Sequence, residues 1–438
     1  MRVRIARTAQ FSGNIEVPGD KSISHRALIL AALSDRSCRI QNLAPGLDVR
    51  STARCLVELG APIDFEGNRA TVRGRGLSLG MPRQTLDCGN SGTTMRLFCG
   101  MVAGARLTAV LDGDASLRRR PMKRVLDPLR QMGAKARGTA DGKGGETAPL
   151  RFDPGPSLIG KHHQLSIASA QVKTALLLAG LWAEGTTEVS EPAPSRDHSE
   201  RMLRAFGAPL EVSPQGILSI RRIDRALSGP AQLEIPGDPS SAAFLVAAAL
   251  LVAKGKLRIS GVGLNPTRTG FVEVLRRMGA SIGVEPEPPQ AGEPVGAIVL
   301  EEPSSLTATE VAPSEIASLI DEVPILSVVA TQATGTTLIR GAEELRYKES
   351  DRISQMARGL ASMGANVSEL PDGLQITGPT PLTATGIDGQ GDHRIAMSFA
   401  VAGLIASGVT EIEGAEWADI SFPGFFEVLA RLCRGAVQ

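Results

Sequence analysis

The sequence predicts an α/β fold made of two similar halves, each holding three copies of one β/α unit. Three observations support this. Ile15–Leu33 and Leu233–Leu251 align without gaps, half a chain length apart, with seven of nineteen positions identical. A Gly-Ala pair closes an apolar-periodic stretch six times, at Gly60, Gly133, Gly207, Gly279, Gly364 and Gly435, in nearly even steps along the chain. Between these copies runs a second type of segment, apolar almost all round, at 26–33, 95–104, 172–185, 242–255, 324–335 and 395–408.

Each element follows from these patterns. Glycine after an apolar-periodic stretch is the expected C′ residue of a helix, where positive φ is needed. In five copies β-type residues follow, as in Pro62-Ile-Asp-Phe65 and Ser281-Ile-Gly-Val284. A helix apolar on every side must be buried on every side. Buried helices therefore sit inside each half, with amphipathic helices and short strands around them. The aligned Pro-Gly turns Val17-Pro18-Gly19 and Ile235-Pro236-Gly237 mark where the halves meet. The expected domains are 1–18 with 236–438, and 19–235, closing by a hinge at these two crossings.

Composition narrows the function. With 47 Lys+Arg against 46 Asp+Glu the net charge is +1, and the aromatic residues are only 11 Phe, 2 Trp and 1 Tyr. A nucleic-acid or membrane-surface binder is not expected from such a chain. The longest apolar run, Ser241–Ala253, is shorter than the ~20 residues of a membrane span. Met1-Arg-Val-Arg-Ile-Ala-Arg7 has no apolar stretch of a secretory signal, and the five cysteines form no Cys-x-x-Cys pair. We expect a cytoplasmic protein with reduced thiols and no metal site.

The polar residues gather at helix starts. Before buried helices stand Gly19-Asp-Lys-Ser-Ile-Ser-His-Arg26, Gly89-Asn-Ser-Gly-Thr-Thr-Met-Arg96, Ser169-Ala-Gln-Val-Lys173, Ile320-Asp-Glu-Val-Pro324 and Gly391-Asp-His-Arg394. Before amphipathic ones stand Arg118-Arg-Arg-Pro-Met-Lys-Arg124, Ser195-Arg-Asp-His-Ser199 and Lys348-Glu-Ser-Asp-Arg352. Free N–H groups and the dipole make a helix start an anion site, and arginine strengthens it. Any single stretch reads equally as an ordinary cap, with Ser22, Ser169 and Ser195 as capping residues. Taken together, Lys21, Arg26, Arg120, Arg124, Lys173, Arg196, Lys348, Arg352 and Arg394 point to small, multiply anionic ligands. Asp321 and Glu349 among these cations are either general acid/base groups or structural ion-pair partners. Asp351 and Asp392 read as capping groups, His25 and His393 as local hydrogen-bonding groups, and Cys88 and Cys99 as buried thiols. Gly142-Lys-Gly-Gly145 lacks the ending of a phosphate loop, and no Gly-x-Gly-x-x-Gly opens a βαβ unit.

The stretches Pro18–Arg26, Gly89–Leu97, Arg119–Met122, Ser169–Leu181, Leu345–Arg352 and Gly391–Phe399 closely resemble, in order, the motifs of the 5-enolpyruvylshikimate-3-phosphate synthase family. The resemblance implies two inside-out α/β barrel domains, each of three βαββαβ repeats. It implies transfer of the enolpyruvyl group of phosphoenolpyruvate to shikimate 3-phosphate in aromatic amino-acid biosynthesis, without cofactor, by a monomer. Position by position it assigns Lys21, Ser22, Arg26, Ser169, Ala170, Gln171, Arg196, Asp321 and Lys348 to shikimate 3-phosphate. It assigns Lys21, Gly92, Arg120, Gln171, Arg352 and Arg394 to phosphoenolpyruvate, and Lys21, Asp321 and Glu349 to proton transfer. Ile420 replaces a lysine common in the family before Ser421-Phe-Pro423, and Leu97 replaces a proline. Arg196-Asp-His-Ser199 is similar to the family's second, more divergent subgroup. Gly92 retains the small residue that leaves room for glyphosate, so inhibition is expected. The sister family that acts on UDP-N-acetylglucosamine has Lys-Asn in the first motif and a loop cysteine. Lys21-Ser22 and the cysteine-free stretch 112–124 depart from it. A non-catalytic anion-binding scaffold would bind these ligands without turnover.

Overall fold

The computed structural model describes residues 1–301 and 305–438. It divides into two compact units: Gly19–Ile235 with Gln290–Glu293, and Met1–Pro18, Pro236–Pro289 and Pro294–Gln438. Helices of the first unit are α1 (Lys21–Ala32), α2 (Leu47–Glu58), α3 (Gly92–Gly104), α4 (Lys123–Gln131), α5 (Ala170–Gly180) and α6 (His198–Ala205). Those of the second are α7 (Pro239–Leu251), α8 (Gly270–Arg277), α9 (Val323–Ala330), α10 (Arg352–Ser362), α11 (His393–Gly403) and α12 (Phe425–Leu432). Odd-numbered helices are the buried kind: eleven of the thirteen residues of α7 are buried, against three of nine in α4. This alternation matches the two apolar patterns of the sequence.

In the Gly19–Ile235 unit three four-stranded sheets share one plan. In one, Leu86–Asp87 pairs parallel with Ala109–Asp112, which pairs antiparallel with Glu146–Asp153, followed by Lys135–Ala140. In another, His162–Gln164, Thr186–Ser190, Leu218–Arg221 and Leu210–Val212 repeat that order. The remaining sheet uses Ser37–Gln41, Arg69–Arg73 and Ile63–Glu66, but takes its leading strand, Gln232–Glu234, from the far end of the unit. Each copy thus runs βαβαββ, which corrects the βαββαβ order expected above. The buried helix is the crossover between two parallel neighbours, whereas the closing pair is an antiparallel hairpin that needs no helix.

The other unit follows the same plan in two four-stranded sheets and one three-stranded sheet, with a similar exchange. Gln10–Glu16 leads one sheet by pairing with Lys254–Gly263, and Glu310–Val311 pairs with Gly335–Ile339 in the next. In the last sheet Gly386–Asp388 and Val409–Glu413 are joined by Arg2–Ala6, so the chain's first residues complete the copy formed by its last.

The recurrent Gly-Ala is a helix stop with a defined geometry. All six glycines have positive φ, from +75° at Gly207 to +106° at Gly133. In the first five copies the glycine N–H donates three residues back and the alanine N–H five back, as in Gly133 to Arg130 O and Ala134 to Leu129 O. This is the Schellman arrangement. The residue before each of these glycines (Leu59, Met132, Phe206, Met278, Met363) is at most 1% exposed, which anchors the helix end in the core.

Residues 290–293, placed by sequence in the 236–438 half, group with the Gly19–Ile235 unit. Glu293 is fully buried there, 2.8 Å from His198 Nδ1 and 3.7 Å from Arg201 Nε. Burying that carboxylate against the His198 ring and the Arg201 guanidinium ties the hairpin tip to α6.

Candidate functional site

In the Gly19–Ile235 unit, α3 and α5 lie against each other because residue 100 is glycine. A Cβ there would come within 1.9 Å of Ala175 O. This contact sets the starts of the two helices side by side. Ser91 caps α3 by accepting from Thr94 N, and Ser169 caps α5 by accepting from Val172 N. Gln171 joins them: its Nε2 donates to Thr93 Oγ1 at 2.9 Å, and its Oε1 accepts from Arg96 Nη1 at 2.6 Å. Arg120 Nη2 donates to Asn90 Oδ1 at 2.7 Å. A Cβ built on Gly92 would lie 3.0 Å from Arg96 Nη1 and 3.2 Å from Arg120 Nη1, so two guanidinium groups flank the start of α3.

Along α1, Asp20 rather than Ser22 is the cap, accepting from Ile23 N at 2.8 Å. Lys21 Nζ lies 3.2 Å from Asp48 Oδ2. Arg26 is buried and donates to Ser199 Oγ (2.7 Å), Ser22 O (2.9 Å) and Thr174 Oγ1 (2.9 Å), tying α1 to α5 and α6. Burial lowers its pKa to about 10, against the nearby Glu200 and Asp20 carboxylates that raise it. Ser195 is not a helix cap either. Its hydroxyl donates to Glu191 Oε2 at 2.9 Å, next to the half-buried Arg196. Lys173 is buried between Glu191 Oε2 (2.8 Å) and Glu200 Oε1 (2.7 Å).

The other unit holds a compact ion cluster around Arg352, which is 2% exposed. Its Nε donates to Asp392 Oδ2 at 2.8 Å and its Nη2 to Glu349 Oε2 at 2.6 Å, while Nη1 lies 3.6 Å from Asp321 Oδ1. Burial alone would lower the Arg352 pKa, but Asp392 and Glu349 outweigh it and hold the charge in place. Arg394 Nη1 donates to Asp321 O at 2.7 Å, and its Nε is 3.8 Å from Asp321 Oδ1. Asp392 is sealed from solvent and caps α11, whereas the Asp321 and Glu349 side chains keep 16% and 17% of their surface exposed. Lys348 is partly buried 3.8 Å from Glu344; burial lowers its pKa, opposed by Glu344 and Asp321.

Asp351 and Asp392 cap helices as expected, and burial raises the pKa of Cys99 to about 12. The Cys88 thiol is pushed up too, by a hydrogen bond with Cys55 and by burial. His25 bonds Thr52 Oγ1 at 2.6 Å. His393 departs from expectation, since neither ring nitrogen has a hydrogen-bond partner among the described residues. Burial drives its pKa down to about 4. Sequence reasoning passed over Asp48, Asn90, Thr93 and Glu191, which hold the site residues; the first three are polar residues at or beside helix starts, whereas Glu191 follows the strand Thr186–Ser190 and carried no such signal. Arg96 stood inside a quoted motif but was given no role. Ligand-type atoms of Asp197, His198 and Glu293 lie within 4.8 Å of one another, yet Arg201 sits 2.9 Å from Asp197 and already supplies the cation.

The profile of a family described as EPSP synthase (3-phosphoshikimate 1-carboxyvinyltransferase) matches residues 5–429. A 3-phosphoshikimate 1-carboxyvinyltransferase of Synechococcus sp. (strain JA-3-3Ab) is 50% identical over 430 residues, covering 96% of this chain and 94% of the relative. The structure of an EPSP synthase from Acinetobacter baumannii superimposes with a TM-score of 0.88 at 39% identity, covering 100% of this chain and 99% of that one. The enolpyruvyl transferase NikO from Streptomyces tendae shares the fold at a TM-score of 0.78 and 19% identity, over 100% of this chain and 98% of its own.

Proposed function

The chain belongs to the EPSP synthase family, and from that premise we propose how its residues divide the work of the reaction. The enzyme transfers the enolpyruvyl group of phosphoenolpyruvate to the 5-hydroxyl of shikimate 3-phosphate and releases phosphate, a step of the shikimate pathway. Both substrates carry a phosphate and a carboxylate, roughly six negative charges together. Seven assigned cations, Lys21, Arg26, Arg120, Arg196, Lys348, Arg352 and Arg394, supply positive charge for them, part of it already offset by Asp48, Asp321, Glu349 and Asp392.

In our assignment Ser169, Ala170, Gln171 and Arg196 take the phosphate of shikimate 3-phosphate, and Lys21, Ser22, Asp321 and Lys348 take its ring and carboxylate. Arg26, with three of its donors bonded to protein, supports Ser22 and contributes fixed charge. Arg120, Arg352, Arg394 and Lys21 take phosphoenolpyruvate, with Gly92 and Gln171 beside it.

The observation that carries the mechanism is the inequality of the three carboxylates around Arg352. Asp392 is sealed and structural, while Asp321 and Glu349 face the same guanidinium from positions that remain accessible. In the addition step the 5-hydroxyl loses its proton as its oxygen bonds C2 of phosphoenolpyruvate, and C3 gains a proton. In the elimination step C3 gives up a proton while the C2–O bond to phosphate breaks. Protons and electrons balance over the two steps. Asp321, Glu349 and Lys21 are the groups we assign to these transfers, with the arginines stabilising developing charge. No redox cofactor enters this balance. Among the described residues no helix is long and apolar enough to cross a membrane. We further propose that the enzyme works in the cytoplasm as a monomer. Phosphate release on mixing both substrates tests the reading: it should require shikimate 3-phosphate, and release without it would reject the assignment.

A further inference from the structure

We propose that Glu191, braced by Lys173, is a positioning residue that sets the spacing of Ser169 and Arg196. The inference rests on the assignment of shikimate 3-phosphate's phosphate to those two residues. Glu191 follows the strand Thr186–Ser190, and its carboxylate reaches in two directions. Oε1 accepts from Ser169 N at 3.0 Å, at the cap of α5. Oε2 accepts from Ser195 Oγ at 2.9 Å and from Ser195 N at 3.4 Å, one residue before Arg196. One side chain thus spans the helix start and the loop on either side of the proposed phosphate position.

Lys173 makes the brace rigid. It sits one turn into α5 from Ser169, with Nζ 2.8 Å from Glu191 Oε2 and 3.5 Å from Ser195 O. Its third contact, 2.7 Å to Glu200 Oε1, ties the brace to α6. A carboxylate beside an anion site would ordinarily repel the ligand. Here the buried ammonium offsets the Glu191 charge and the nearby Arg26 guanidinium offsets that of Glu200, so Glu191 supplies geometry at little electrostatic cost to the ligand. Both carboxylate oxygens are engaged by protein donors, so Glu191 holds the site residues and does not itself touch substrate.

Glu191→Gln keeps the shape and one acceptor, but turns an NH₂ group toward either Ser169 N–H or the Ser195–Lys173 donors. Calorimetry should show the Kd for shikimate 3-phosphate rising about tenfold, with the KM for phosphoenolpyruvate changing less than twofold. Ser195→Ala removes one of the bonds and should raise the same Kd about threefold; it decides the matter if Glu191→Gln does not fold. A lowered Tm with an unchanged Kd for shikimate 3-phosphate would make the brace merely structural and overturn the proposal. Arg196→Ala separates the two levels. If it leaves that Kd unchanged, the phosphate assignment itself fails, whereas a weakened Arg196→Ala beside a normal Glu191→Gln overturns the brace alone.

Discussion

Gly92→Ala tests the phosphoenolpyruvate assignment with one methyl group. The added Cβ would stand 3.0 Å from Arg96 Nη1 and 3.2 Å from Arg120 Nη1, where ordinary contacts begin at 3.4 Å. The guanidinium groups must therefore retreat by a few tenths of an ångström. Arg96 is held by Gln171 at 2.6 Å and Arg120 by Asn90 at 2.7 Å, so neither moves without stretching a short bond. A misplacement of ~1 Å costs about 10²-fold in a positioned reaction, so a shift of ~0.4 Å scales to roughly sixfold. We expect kcat/KM for phosphoenolpyruvate to fall five- to tenfold in a phosphate-release assay, with the KM for shikimate 3-phosphate changing less than twofold. Glyphosate should inhibit the parent enzyme and inhibit the variant more weakly. An unchanged kcat/KM for phosphoenolpyruvate, or a rise in the KM for shikimate 3-phosphate as large as the fall in kcat/KM for phosphoenolpyruvate, would refute the reasoning.

Asp321→Ala should reduce turnover by about 10²-fold or more while leaving the helical circular-dichroism spectrum intact; a near-normal rate removes Asp321 from proton transfer. His393 has a folded pKa of about 4, depressed by burial from an ordinary value near 6.5. The unfolded chain therefore binds more protons between those values, and stability falls as pH drops through that window. Urea unfolding at pH 7 and pH 5 should show a loss of about 2 kcal/mol from this residue, largely absent in His393→Gln; equal losses in both proteins would contradict it. Shikimate 3-phosphate should reduce the radius of gyration in solution scattering if the connections at Pro18–Gly19 and Ile235–Pro236 act as a hinge. A constant radius would count against closure.

The periodic features were legible in the sequence because they repeat under the same constraint. Buried and amphipathic helices differ in how much of their circumference meets the core, and each Gly-Ala stop demands positive φ after a buried anchor such as Met132 or Phe206. Strand order was not legible. Leading strands as short as Leu86–Asp87 and Glu310–Val311 carry no alternation to read, and two others are borrowed from distant sequence. At the site, the charged residues beside helix starts were visible, but their partners depended on packing. Asp20 takes the cap that Ser22 was expected to fill, because it stands one position before the first turn. Ser195 turns to Glu191 because that carboxylate is already held by Lys173. Arg96 was obscured by lying within an otherwise apolar helix.

The strand Gln10–Glu16 is synthesised well before its partner Lys254–Gly263, with the whole Gly19–Ile235 segment between them. At ~5–20 residues per second that strand waits roughly 12–50 seconds on the ribosome. The intervening unit is continuous apart from residues 290–293, so its sheets can form while the rest is still being made. Once they have, Gln232–Glu234 lies beside Ser37–Gln41 and Asn42 Nδ2 donates to Ile235 O at 2.9 Å. The open chain to be closed then shrinks from ~240 residues to ~20, which lowers the closure cost by about 2 kcal/mol. For an interrupted domain this topology favours a folding order in which the insertion forms first and delivers the two ends of its host to each other.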